Sequence, residues 1–166
     1  MGEVPLGTVS NSPDGRHELR FERDLPHSPE DVWTAITLPR SIGHWLSEAD
    51  VELRPGCHVR LRGQCHVDGE VLEVTPGAVF SWTWPHPEHH CSKVTIAIAR
   101  LGDGVSRVTL SQSDIPTHQL LNVAAGWHTH LDALPKAILN EATPFDVKRA
   151  AVNYRRYAAV LVAQAP

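Results

Sequence analysis

Apolar and polar positions along this chain change period several times, and each change predicts an element. Leu19, Phe21 and Leu25 sit among charged residues at near period-two spacing, which predicts a half-buried strand beginning near Arg16. Ser28-Pro29-Glu30-Asp31 then predicts a helix start: Ser28 caps, Pro29 suits the first turn, and two acids meet the positive end of the helix dipole. Val32, Trp33 and Ile36 form its inward stripe. Pro39 ends that helix and opens another carrying Ile42, Trp45 and Leu46.

A run of strands follows. Val51-Glu52-Leu53 stops at the turn pair Pro55-Gly56. From His58 to Arg62, Val59 and Leu61 share one face and Arg60 and Arg62 the other, toward water. Val71 to Val74 ends at Pro76-Gly77. Val79 to Trp84 places Phe80, Trp82 and Trp84 on one face, with Ser81 and Thr83 opposite. Val94, Ile96 and Ile98 alternate, and Gly102-Asp103-Gly104 is a hairpin turn into Arg107–Gln112. Tight turns between consecutive strands imply an antiparallel sheet.

Thr117 opens a long helix in which Leu120, Trp127, Leu131, Leu134 and Ile138 recur every three or four residues, with Val123 or Ala124 between. Pro135 inside it is expected to kink it. Thr143-Pro144 reads as a fresh cap and first turn. The last helix then carries Val147, Ala150, Ala151, Tyr154, Ala158 and Leu161 on one side. Residues 1–15, rich in Gly, Pro, Ser and Asn, read as a flexible leader; residues 16–140 as one domain; and 141–166 as an additional C-terminal helix.

Several signposts stand in a fixed order: Ser28-Pro29-Glu30-Asp31-Val32-Trp33, Pro39, Trp45, Arg54-Pro55-Gly56, Gly69-Glu70-Val71-Leu72-Glu73-Val74-Thr75-Pro76, Ser81-Trp82-Thr83-Trp84, and Gly126-Trp127 with Leu131 and Leu134. This order resembles the START-like superfamily, also called SRPBCC or birch-pollen-allergen-like. Within it, the chain is most similar to the activator of heat-shock protein 90 ATPase homologues. The resemblance spans about residues 16 to 140. It implies an α+β helix-grip fold: a curved antiparallel sheet wrapped around a long C-terminal helix, two short helices after the first strand, and often a cavity between sheet and helix. The helix after Thr143 lies outside the usual family ending.

Composition narrows the functional classes. At 166 residues, with 42% apolar and 20% charged residues, one soluble domain is expected. A net charge of −4 argues against a nucleic-acid partner, which calls for a basic face. Residues 143–166 carry a local +3, read as a solvated helix face. Cys57, Cys65 and Cys91 are odd in number and lack CxxC spacing, so reduced thiols in a cytoplasm are expected rather than a disulfide framework. No secretory signal and no 18-residue apolar run are present, so no membrane partner is expected.

Candidate chemistry follows from the container. Trp45, Phe80, Trp82, Trp84 and Trp127 are candidates to line an apolar ligand cavity, with plain core packing the competing role for each. Gln112 shares parity with Val108 and Leu110 and is the candidate polar anchor from the sheet; Arg60, Arg62 and Glu73 are weaker ones. His128 and His130, two apart on a helix, point to opposite sides, so they cannot chelate one metal together; one of them can face the cavity, and His128 is the chosen candidate. The cluster His86-Pro87-Glu88-His89-His90-Cys91 has zinc-compatible side chains but no finger spacing, so it reads as a polar hairpin loop and no metal is expected. Nucleophile elbow, HExxH, P-loop and GxGxxG motifs are absent, no catalytic residue is assigned, and no cofactor is expected.

Three functions fit. The leading expectation is binding of a small hydrophobic molecule between sheet and long helix. A polyketide cyclase or aromatase-like enzyme would need polar groups converging in the same cavity. A chaperone-activator-like interaction module would instead show a filled core and a docking face. The apolar side of the last helix is expected to support a homodimer.

Overall fold

Alternation builds the sheet, and its register puts the aromatic residues on one face. The computed structural model describes residues 4–88 and 90–163, the side chain of Val162 excepted. Strand β2 (His17–Leu25) buries Leu19, Phe21, Arg23 and Leu25 and exposes the charged residues between them. It pairs with β8 (Val105–Ile115), which pairs with β7 (Cys91–Gly102) and then β6 (Val79–Pro85). The register aligns Phe21, Leu110, Ile96 and Phe80 in one row across these strands, and Leu19, Gln112, Val94 and Trp82 in another. Strands β5 (Val67–Thr75), β4 (His58–Arg62) and β3 (Glu48–Val51) complete an all-antiparallel order. Arg60 and Arg62 do face water, pairing with Asp50 at 3.2 Å and Asp68 at 2.6 Å.

The first strand in the chain is β1 (Thr8–Asn11), paired with β2 from Thr8↔Arg20 to Asn11↔His17. The expected flexible leader is thus partly an edge strand. Four polar-rich residues show too little alternation to reveal a strand, and the order comes from pairing with β2.

Curvature is concentrated in β5, where residues 67–70 pair with β4 and residues 71–75 with β6. At the changeover a Cβ on Gly69 would sit 2.1 Å from the Thr83 carbonyl oxygen, so only glycine allows this approach. The bend carries β3, β4 and the β4–β5 turn over toward the long helix.

The first two helices start as predicted. Asp31 N–H donates to Ser28 Oγ at 3.2 Å to cap α1 (Pro29–Thr37), and α2 (Pro39–Trp45) follows. The long helix α3 (Leu120–Ile138) lies in the grip of the sheet and runs through Pro135 without a break. Helix α4 (Val147–Ala163) departs from expectation. Asp146, not Thr143, caps it, its Oδ1 accepting from Arg149 N–H at 2.9 Å. Thr143 N–H instead donates to the His44 carbonyl. The buried side of α4 is also rotated: Asn153 and Tyr157 are inside, while Val147, Ala151 and Tyr154 are exposed. The reason is polar pairing with α3 of the same chain, Asn153 Nδ2 donating to Thr129 Oγ1 at 3.1 Å and Tyr157 meeting His128. No described helix is long and apolar enough to cross a membrane.

Candidate functional site

Three elements and one turn converge at one end of the gripped helix. Strands β6 and β8 supply Trp84 and Gln112, α3 supplies Asn122, Val123, Gly126, Trp127 and His130, and the β4–β5 turn supplies Gln64 and Cys65. Phe145, from the connection between α3 and α4, closes one side. Together they enclose about 290 Å³. That is just under the roughly 300–1,000 Å³ typical of ligand pockets. Trp84 and Trp127 meet edge to face, 5.4 Å between ring centres. Trp127 Nε1–H donates to Gln112 Oε1 at 2.6 Å. This orients the Gln112 amide and leaves its NH₂, which no described group accepts, to donate into the cavity.

The other sequence candidates lie elsewhere. Phe80 and Trp82 stack at 4.8 Å and are buried in the core beside the cavity, without lining it. One face of a strand can bury several rings, but only the ring at its open end reaches the space under α3. Trp45 is buried with its indole N–H donating to the Ala35 carbonyl at 3.1 Å, so α1 holds it; it does not line this cavity but does line a cleft on the outer side. His128 sits on the far side of α3, wholly buried under α4. Its Nδ1 accepts from the Tyr157 hydroxyl at 2.9 Å, and that hydroxyl oxygen accepts Gly7 N–H at 2.8 Å. Burial, then the nearby Arg23, Arg156 and Arg149, lower the His128 pKa to about 3. Glu73 is exposed.

The sequence did not single out Gln64, Cys65, Asn122 and Phe145 as cavity residues, and of the two candidate histidines it favoured His128 over His130. His130 is the histidine that faces the cavity, because it stands at i+3 from Trp127, whereas His128 is a single residue on and turned about 100° away. Its Nδ1–H donates to the Trp45 carbonyl at 3.0 Å. That hydrogen bond selects the tautomer and leaves Nε2 an acceptor, 3.7 Å from Cys65 Sγ. Cys65 is anchored in turn: its N–H donates to Ser47 Oγ at 3.1 Å. Trp45 and Ser47 both lie at the end of α2, so one short segment positions both members of the pair. Phe145 packs against the His130 ring at 4.8 Å. Burial raises the Cys65 thiol to about 11 and pushes His130 down from its ordinary value, so both are neutral at pH 7.

At the cavity rim, His86 hydrogen-bonds Ser92 Oγ at 2.9 Å and stacks on His90 at 4.2 Å. His89 lies outside the described residues. Among the described residues no group of three side chains is placed to hold a metal ion. A larger cleft of about 520 Å³ lies on the outer side, against α3 and the connection to α4. Its charged lining balances Arg23, Lys136 and Arg149 against Asp24, Asp132 and Asp146, so it has no preference for an anion or a cation.

Comparison with known proteins agrees with this architecture. Residues 26–138 match the family model of Activator of Hsp90 ATPase homolog 1-like protein. No curated protein matches the chain. Among solved structures, CalU16 from Micromonospora echinospora is 24% identical, with a TM-score of 0.75 over 95% of this chain and 96% of that one. EF2215 from Enterococcus faecalis, a conserved protein of unknown function, is 16% identical, with a TM-score of 0.80 over 96% and 92%. The Aha1 dimer from Colwellia psychrerythraea is 16% identical, with a TM-score of 0.65 over 73% and 95%. At these identities the likeness is one of fold: the helix grip.

Proposed function

This chain belongs to the Activator of Hsp90 ATPase homolog 1-like family, and we propose that it binds a small, flat, largely apolar molecule bearing a hydrogen-bond acceptor, in the cavity between the sheet and α3. The observation that carries this reading is the pairing of Trp84 and Trp127 around a space that the Gln112 amide, oriented by Trp127, also lines. Two indoles supply apolar area at low entropic cost, and the Gln112 amide, held by Trp127, sets the direction of the ligand. A filled core would have favoured docking onto another protein; the cavity favours a small molecule. Three free cysteines fit a reducing compartment such as the cytoplasm. The exposed Val147, Ala151 and Tyr154 side of α4 is the face on which a homodimer would form.

The test is titration with an apolar fluorescent dye while tryptophan emission is followed. Quenching and saturable binding are expected, weakened about tenfold or more in Trp84→Ala, with far-ultraviolet dichroism unchanged. Binding that persists unaltered in Trp84→Ala would place the ligand elsewhere and overturn the assignment.

A further inference from the structure

The cavity contains a nucleophile beside a base whose free nitrogen is aimed at it. Cys65 Sγ lies 3.7 Å from His130 Nε2, and His130 is fixed by the Trp45 carbonyl as Ser47 fixes Cys65. This is the order of parts that activates a thiol: nucleophile, imidazole, and a group that sets the tautomer. We propose that Cys65 and His130 capture an α,β-unsaturated ketone or aldehyde by reversible conjugate addition. The proposal rests on the ligand-binding reading above and names the ligand class for the same cavity.

The chemistry balances without a co-reactant. Cys65 Sγ bonds to the β-carbon while its proton passes to His130 Nε2. The C=C π pair moves onto the carbonyl oxygen as an enolate, which can accept from the Gln112 NH₂. The proton on Nε2 then returns to the α-carbon, so the sum is addition of S–H across the double bond. An enone is favoured over an acyl donor on two counts. The indoles favour a flat conjugated ligand. Addition also needs neither a leaving group nor water, and its enolate oxygen calls for only a single donor such as the Gln112 amide.

Protonation state points to a base-assisted route. The buried thiol holds its proton through the neutral range, so unaided thiolate attack is slow there. His130 is held down and is already unprotonated at pH 7. The titrating groups that line the cavity are Cys65, His130 and, at the rim, His86.

The experiment uses the full chain with benzylideneacetone as the enone and benzylacetone as its saturated, unreactive counterpart. Intact mass and peptide mapping should show one adduct at Cys65, formed at a rate that saturates with enone and is blocked by excess benzylacetone. Base assistance is commonly worth about 100-fold or more, so His130→Gln should slow the Cys65 adduct by about that factor while leaving Cys57 and Cys91 unchanged. If that variant does not fold, the wild-type pH profile decides. The Cys65 rate should stay flat from about pH 7 to about pH 9, whereas an unassisted thiol below its pKa speeds up about tenfold per pH unit. Saturable quenching by benzylacetone with Cys65 labelled no faster than Cys57 or Cys91, or with a tenfold rise per pH unit, overturns the Cys65–His130 pair alone. No binding of benzylacetone at all overturns the ligand reading, and this inference with it.

Discussion

His130 stands two positions after His128, and about 200° of helix turns them to opposite sides of α3. Both imidazoles are buried and both titrate below their ordinary range. The folded pKa lies below the unfolded one, so the unfolded chain binds more protons once the pH falls below about 6.5. Stability is therefore full above that value and drops on acidification, by about 1.4 kcal/mol per pH unit for His128, with His130 adding in the same direction, well before carboxylates protonate. Urea titrations at pH 7, 6 and 5 should show this fall, and His128→Phe should make it shallower; an unchanged slope contradicts the burial of a neutral His128. At Trp127 the expected cost of truncation to Ala is about 3–5 kcal/mol. A loss under about 1 kcal/mol in denaturant would show that the ring is not a packing residue. Which residues face the cavity was only partly legible. Trp84, Gln112 and Trp127 followed from strand parity and the apolar stripe of the helix. His130 was within reach of the same stripe, three residues after Trp127. Cys65 was not, because a turn residue has no periodicity to give its direction.

Among the elements, those with period two or 3.6 over five or more residues were readable: β2, β4, β6, β7, β8, α1 and α3 match the apolar spacing closely. What the spacing missed depends on partners. Strand β1 exists because β2 offers an edge. Helix α4 turns its Asn153 and Tyr157 inward because Thr129, His128 and Gly7 satisfy their polar atoms, so a stripe counted in apolar residues pointed the wrong way. Tyr157→Phe should accordingly cost about 1–3 kcal/mol by leaving His128 Nδ1 and Gly7 N–H without that hydroxyl. Hydrogen exchange at Gly7 should rise with it; unchanged exchange would mean that α4 does not hold the first residues. In β5, Gly69→Ala must push Thr83 away and should destabilise by about 1–3 kcal/mol. A neutral effect would mean that β5 and β6 do not approach as closely as 2.1 Å implies.

At the scale of the molecule, the grip of sheet on helix leaves one aromatic space inside, while the outer side of α4 keeps Val147 71% and Tyr154 39% exposed. Light scattering at micromolar concentration should give twice the chain mass, returning to one chain mass in Val147→Asp; a single chain mass for the intact protein removes the dimer. The central claim concerns the inside. The five tryptophans provide five indole N–H reporters, of which Trp84 and Trp127 line the cavity while Trp33, Trp45 and Trp82 do not. Titration of nitrogen-15-labelled protein with benzylacetone, followed by the indole resonances, reads them separately. Saturable shifts at Trp84 and Trp127, with Trp33 and Trp82 unmoved, are the result expected of a ligand held between sheet and α3. Shifts confined to other indoles, or none at saturating ligand, would contradict it.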